Sequence, residues 1–142
     1  MTIEQAIRDR LVADATLSAL VSTKVYPQEA PQDADPPYVL YTGSDTYQFP
    51  TLAGRTDLYS EILRYDCYGG GTGPYNSAKA VSAAVRSCIF GLSENAQIGT
   101  SGLDLAGVDD LGGEDSLEPP LHADGAGIDY VGVLVRIFWR TH

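Results

Sequence analysis

Histidine and cysteine are nearly absent from this chain, and the two of each that it has are scattered as Cys67, Cys88, His122 and His142. Neither a histidine-based catalytic triad nor a tetrahedral zinc site can be assembled from them. Basic residues are also scarce. Nine lysines and arginines stand against nineteen acids, giving a net charge of −10 and a pI near 4.3. That balance argues against tight nucleic-acid binding, which rests on neutralising phosphates, and against anionic membranes. No apolar run reaches the length of a membrane span. The opening MTIEQAIRDRL carries acids early and lacks the basic start and unbroken apolar stretch of a signal peptide, so synthesis in the cytosol is expected. A hydrophobic fraction of 44% argues against disorder, and 142 residues suffice for one core without disulfide or metal support. One domain over 1–142 is expected, with Cys67 and Cys88 as reduced thiols on core faces.

What is present is organised around a strand, a glycine run and a helix. In YSEILRYDCY, Tyr59 to Tyr68, the residues Leu63, Tyr65 and Cys67 alternate with Arg64 and Asp66, the period of a half-buried strand. After Gly69, Gly70, Gly71, Thr72, Gly73 and Pro74, a stripe of Ala78, Val81, Val85, Cys88, Ile89 and Leu92 predicts a helix that covers a sheet. Upstream, Thr2 and Gln5 form a capping box, and Asp14 can cap a second helical segment, so the N-terminus reads as one bent helix or two. Prolines from Pro27 to Pro37 predict an extended surface strap. YVLY, from Tyr38 towards Gln48, reads as the first strand, followed by a hairpin with a long tip over PTLAGRTD. Gly91 sits where a left-handed helix cap belongs. Leu103 to Leu117 reads as a strand broken or bulged near Gly112 and Gly113, and IDYVGVLVRIFWR closes the chain as the strongest strand.

Both faces of the last strand carry apolar residues. Val131, Val133, Val135, Ile137 and Trp139 make one face, while Ile128, Tyr130, Leu134 and Phe138 lie beside Arg136 and Arg140 on the other. Two helical segments can cover only one side of a four-stranded sheet, so the second side calls for a partner. The glycine run has the placement of a phosphate loop but not its residues. It lacks the lysine followed by Ser or Thr and the G-x-G-x-x-G spacing, and Asp66 beside it would repel phosphate; a turn with Pro74 as first helical residue explains it. Asp109, Asp110, Glu114, Asp115 and Glu118 lack calcium-loop spacing and read as a solvated acidic edge. No catalytic residue, metal ligand or cofactor is expected, and the chain is not expected to be an enzyme.

Three stretches together resemble the bacteriophage tail terminator or tail completion (tail-to-head joining) proteins. ALVSTKVYPQEAPQDADPPYVLY looks like that family's helix end, proline strap and first strand, LRYDCYGGGTGPYNSAKAVSAAVRSCI like its strand, turn and alanine-rich helix, and GIDYVGVLVRIFWR like its closing strand. The resemblance implies a virion protein, assembled in the host cytoplasm, that closes the head-proximal end of the tail tube as a ring, usually of six subunits. Its implied partners are further copies of itself, the tail tube protein and a head connector or stopper, with DNA only passing through the lumen and no membrane contact. Alternatives are another neck component, itself a connector or stopper, or a small phosphate-ligand-binding enzyme using Gly69 to Gly73.

The expected fold is α+β, helix–strand–strand–helix–strand–strand, with a four-stranded, mainly antiparallel sheet and helices on one face. Subunit contacts are expected at Ile62, Arg64, Tyr68, Tyr130, Leu134, Arg136 and Phe138. The hairpin residues Tyr47, Phe49, Leu52 and Arg55 are expected to reach the tail tube or the adjacent subunit.

Overall fold

A computed structural model describes residues 2–29, 31, 35–44, 46–52, 54–70, 74–92, 97–98, 103–112, 115–118 and 128–141. Helix α1 (Ile3–Ala13) begins as its sequence dictates: the Thr2 hydroxyl accepts from the Gln5 amide, and the Gln5 side chain accepts from the Thr2 amide. Asp14 ends α1 and caps α2 (Ala15–Val21), its Oδ1 accepting from the Leu17 amide at 2.9 Å, so the segment is two helices. The long helix α3 (Pro74–Phe90) starts on proline, whose missing N–H costs nothing in a first turn. All three helices press apolar stripes onto one sheet face. Ile7, Leu11, Leu17, Val81, Val85 and Ile89 meet Val39, Leu63, Tyr65, Cys67, Val133, Val135 and Ile137 in a single buried cluster. Burying each such aliphatic side chain stabilises the fold by about 1.5–3 kcal/mol.

The sheet is built on two long antiparallel strands, β4 (Gly54–Tyr68) and β8 (Ile128–Thr141), paired from Leu58↔Arg140 to Tyr68↔Tyr130. Each is flanked by a strand in two pieces. On one side β2 (Tyr38–Gly43) and β3 (Tyr47–Thr51) share the edge of β4; on the other, β6 (Leu103–Asp110) and β7 (Asp115–Glu118) share the edge of β8. Short strands β1 (Val25–Pro27) and β5 (Gln97–Ile98) extend the two sides, in the order β1-β2-β4-β8-β6-β5.

The α+β class and the helices on one face agree with the sequence reading, while the strand count among the described residues rises from four to eight. The extra strands come from the two breaks and the two short edges. At the first break the Ser44 amide donates to the Ile62 carbonyl and the Ser44 hydroxyl accepts from the Ile62 amide, so a side chain replaces one ladder bond. At the second, Leu111 and Gly112 exchange backbone hydrogen bonds with Leu134, and Gly112 takes φ +93, which favours glycine. This is the interruption expected near Gly112; Gly113 and Glu114 lie outside the described residues. Lys24 to Tyr26 leads into β1, which pairs in parallel with β2.

Two local expectations are corrected. Gly91 is not left-handed; its amide continues the helical pattern by donating to Ser87, and a side chain there would press the Ser87 carbonyl oxygen at 2.8 Å. The β3–β4 hairpin has no long tip, since Thr51 pairs with Gly54 and Gly54 adopts φ +123 to close a two-residue turn. PTLAGRTD is thus mostly strand.

Candidate assembly surface

Strand alternation sends the odd-numbered residues Leu63, Tyr65, Cys67 and Val131 to Trp139 under the helices, and the even-numbered ones to the opposite face. Cross-strand register therefore collects Ile62, Arg64, Tyr68, Tyr130, Leu134, Arg136 and Phe138 on one surface, each half-buried by its neighbours. No described helix or strand covers it. The structure thus brings together all seven residues that the sequence reading assigned to this face.

At one end lies a tyrosine ladder across four strands. Tyr68 stacks on Tyr38 at 5.0 Å between ring centroids and leans on Tyr130 at 5.3 Å, while Tyr26 joins Tyr38 at 6.2 Å. Such cross-strand aromatic pairs contribute about 0.2–1 kcal/mol each to pairing. They also leave a broad amphipathic surface of the kind enriched at interfaces. Tyr26 and Tyr38 were not singled out from sequence. Their alternation within VYP and YVLY was visible, but only the β2–β4 register places Tyr38 beside Tyr68, and only the β1–β2 register brings Tyr26 alongside Tyr38.

The middle of the face is charged and the other end is aromatic again. Arg64 Nε donates to Asp66 Oδ1 at 2.8 Å along the same strand, so the carboxylate beside the glycine run is engaged by arginine on the outer face. Arg136 stands between Ile62 and Asp109 in register, and Arg140 between Leu58 and Asp104. Three of nine basic residues in a chain of net charge −10 thus share this face. Past them, Phe49 packs at 6.0 Å from Phe138, and Tyr47 meets Phe49 edge-on at 5.0 Å. A groove of about 300 Å³ runs between Ser44, Tyr47, Phe49, Ser60, Ile62 and Arg136.

The four hairpin residues are dispersed. Phe49 folds onto the outer face, Tyr47 is 54% exposed at its rim, and Leu52 is wholly exposed at the turn. Arg55 occupies the strand position opposite Pro50. Residues 54–57 of β4 precede its pairing with β8, so the hairpin end projects beyond the sheet as an arm.

Other polar groups serve the packing of the fold. The Gly70 amide donates to Ser77 Oγ, and a side chain on Gly70 would lie 2.7 Å from the Pro36 carbonyl oxygen, so this glycine lets the proline strap cross the helix start. Gly71 to Gly73 lie outside the described residues, as do His122 and His142. Cys67 and Cys88 are free thiols; burial pushes both up in pKa, Cys88 to about 11, away from reactive thiolate. Burial also raises Tyr65, whose hydroxyl meets no hydrogen-bonding partner among the described residues. Asp110 is held below the usual carboxylate range by the Gly112 amide and then by Arg86, at 2.8 and 2.6 Å. Among the described residues no three His, Cys, Asp or Glu side chains gather as a metal site, and no helix is long and apolar enough to cross a membrane.

A chain in the virion of a native gene transfer agent (GTA) particle shares this fold, with a TM-score of 0.65 at 22% identity over 97% of this chain and 94% of that one. At that identity the likeness speaks for the fold alone. No curated protein matches. Residues 5–111, about three quarters of the length, match the family of tail completion protein gp17. By the extent of that match, the chain belongs to the tail completion protein gp17 family, a family of structural virion tail proteins.

Proposed function

We propose that this protein ends tail-tube polymerisation by forming a ring, of six copies, on the head-proximal end of the tube, where it also meets the head connector or stopper. The observation that carries this reading is the open sheet face. Seven half-buried residues, aromatic at both ends and arginine-bearing in the middle, share one surface that no described element covers. Aromatic residues and arginine are the types enriched where protein surfaces bind. A closed ring lets such a face meet a different face of the next copy, and rotation then uses up every contact.

The acidic composition suits a lumen through which DNA passes, because like charge removes the counterion-release term that makes DNA adhere. Family membership supports a place in the virion; assembly in the host cytoplasm is part of the same proposal. The test is direct. Purified tail tubes mixed with the protein and imaged by negative stain should carry a ring at one end only and should stop elongating when more tube protein is added. Tubes that stay bare and keep growing would remove the terminator role; binding to the portal side instead would mark another neck component.

A further inference from the structure

The arm carries an exposed apolar side chain, and the opposite side of the sheet carries a recess that it cannot reach within one chain. Leu52 at the arm's turn is wholly exposed and touches no core element. Across the sheet, a pit of about 170 Å³ opens between the end of α3 and β6, lined by Phe90, Leu92, Leu105, Ala106, Gly107 and Val108. Phe90 on its rim is 39% exposed and Leu105 at its floor is buried. An open recess of this volume has room for an isobutyl side chain.

We propose that the β3–β4 arm of one copy seats Leu52 in the Phe90–Val108 pit of the next copy. The arm and pit lie at the same end of the sheet on opposite sides of the central β4–β8 pair, since β3 borders β4, and β6 borders β8 and pairs with β5 only through Leu103 and Asp104. Three strand spacings, about 14 Å, separate β3 from β6 laterally. A knob on one side and a hole on the other make a head-to-tail contact that repeats in one direction and closes by rotation. A second copy is the occupant because it supplies both halves, so one contact type covers Leu52 and the pit together. A tube protein taking Leu52 would leave the pit open. This inference rests on the ring reading and names the contact between neighbours within it.

Cysteines at Leu52 and Ala106 test it. The lateral separation exceeds the roughly 7 Å Cα–Cα limit of a disulfide, so any bond between them joins two copies. Mixing Leu52→Cys with Ala106→Cys on tail tubes under mild oxidant should give a cross-linked dimer, and the double variant a ladder ending at the ring's subunit number. Wild type, with Cys67 buried and Cys88 half-buried away from both positions on the end of α3, should give neither. Leu52→Glu should keep the wild-type melting temperature and lower ring yield by about tenfold, since an apolar contact is replaced by a charge. Rings that form without the cross-link and tolerate Leu52→Glu overturn the arm-in-pit contact and leave the ring reading standing, as does a Leu52→Cys bond to the tube protein instead. Wild-type protein that forms no ring on tubes overturns the ring reading itself.

Discussion

Tyr65 shows how one residue can carry opposing contributions. Its ring is among the largest fully buried side chains, 6.3 Å from Tyr41, yet its hydroxyl is sealed in with no hydrogen-bonding partner among the described residues. Burying an unpaired hydroxyl costs about 1–3 kcal/mol, a penalty that phenylalanine of nearly the same shape does not incur. Tyr65→Phe is therefore expected to raise stability by about 1 kcal/mol, measured by denaturant midpoint. An unchanged or lowered midpoint would mean that the hydroxyl is satisfied in solution. The sequence revealed Tyr65 as a core-face residue by alternation alone; the isolation of its oxygen depends on packing from other elements.

At the scale of elements, the two broken strands explain why β4 and β8 can run long while their neighbours cannot. Each break is closed by a specific device, the Ser44 hydroxyl on one side and the left-handed Gly112 on the other. Asp110 holds the second break, accepting from the Gly112 amide and from Arg86 of α3. Its carboxyl titrates below its ordinary value of 3.8, so its contribution is present above that pH and disappears as pH falls through the lower, folded-state value. Asp110→Asn should thus be less stable than wild type near neutral pH, with the difference shrinking below pH 3.8; paired thermal melts from pH 7 to 3 check this. A difference independent of pH would assign the effect to packing. The glycines near 112 were legible as a breaker, but the choice of Asp110 and Arg86 as its clasp required α3 to lie beside β6.

For the molecule as a whole, the decisive feature is a sheet with one face closed by helices and one left for association. Arg136 lies near the centre of the open face, opposite Ile62 and beside the groove. Arg136→Glu takes the net charge from −10 to −12, since one positive charge is lost and one negative charge gained. A surface change of this kind moves folding stability by no more than about 0.5 kcal/mol. Loss of end-capping on purified tubes at unchanged melting temperature is the expected result; capping at wild-type efficiency would move the subunit contact off this face.

Alternation and helical spacing by themselves determined the α+β class, the face each strand turns to the core, both helix caps at Thr2 and Asp14, and the break before Gly113. These are local properties, written in periods of two and 3.6 residues and in the hydrogen-bonding reach of a capping side chain. Composition likewise set the low supply of histidine, cysteine and positive charge. Only the tertiary structure decided what depends on register between distant segments. It aligned Tyr26, Tyr38, Tyr68 and Tyr130 into one ladder, folded Phe49 onto Phe138 and away from the hairpin turn, kept Gly91 in helical continuation, and set Leu52 and the Phe90–Val108 pit on opposite sides of the central β4–β8 pair. Pairing across strands follows from the whole sheet's geometry, and a one-residue slip would turn every side chain to the other face.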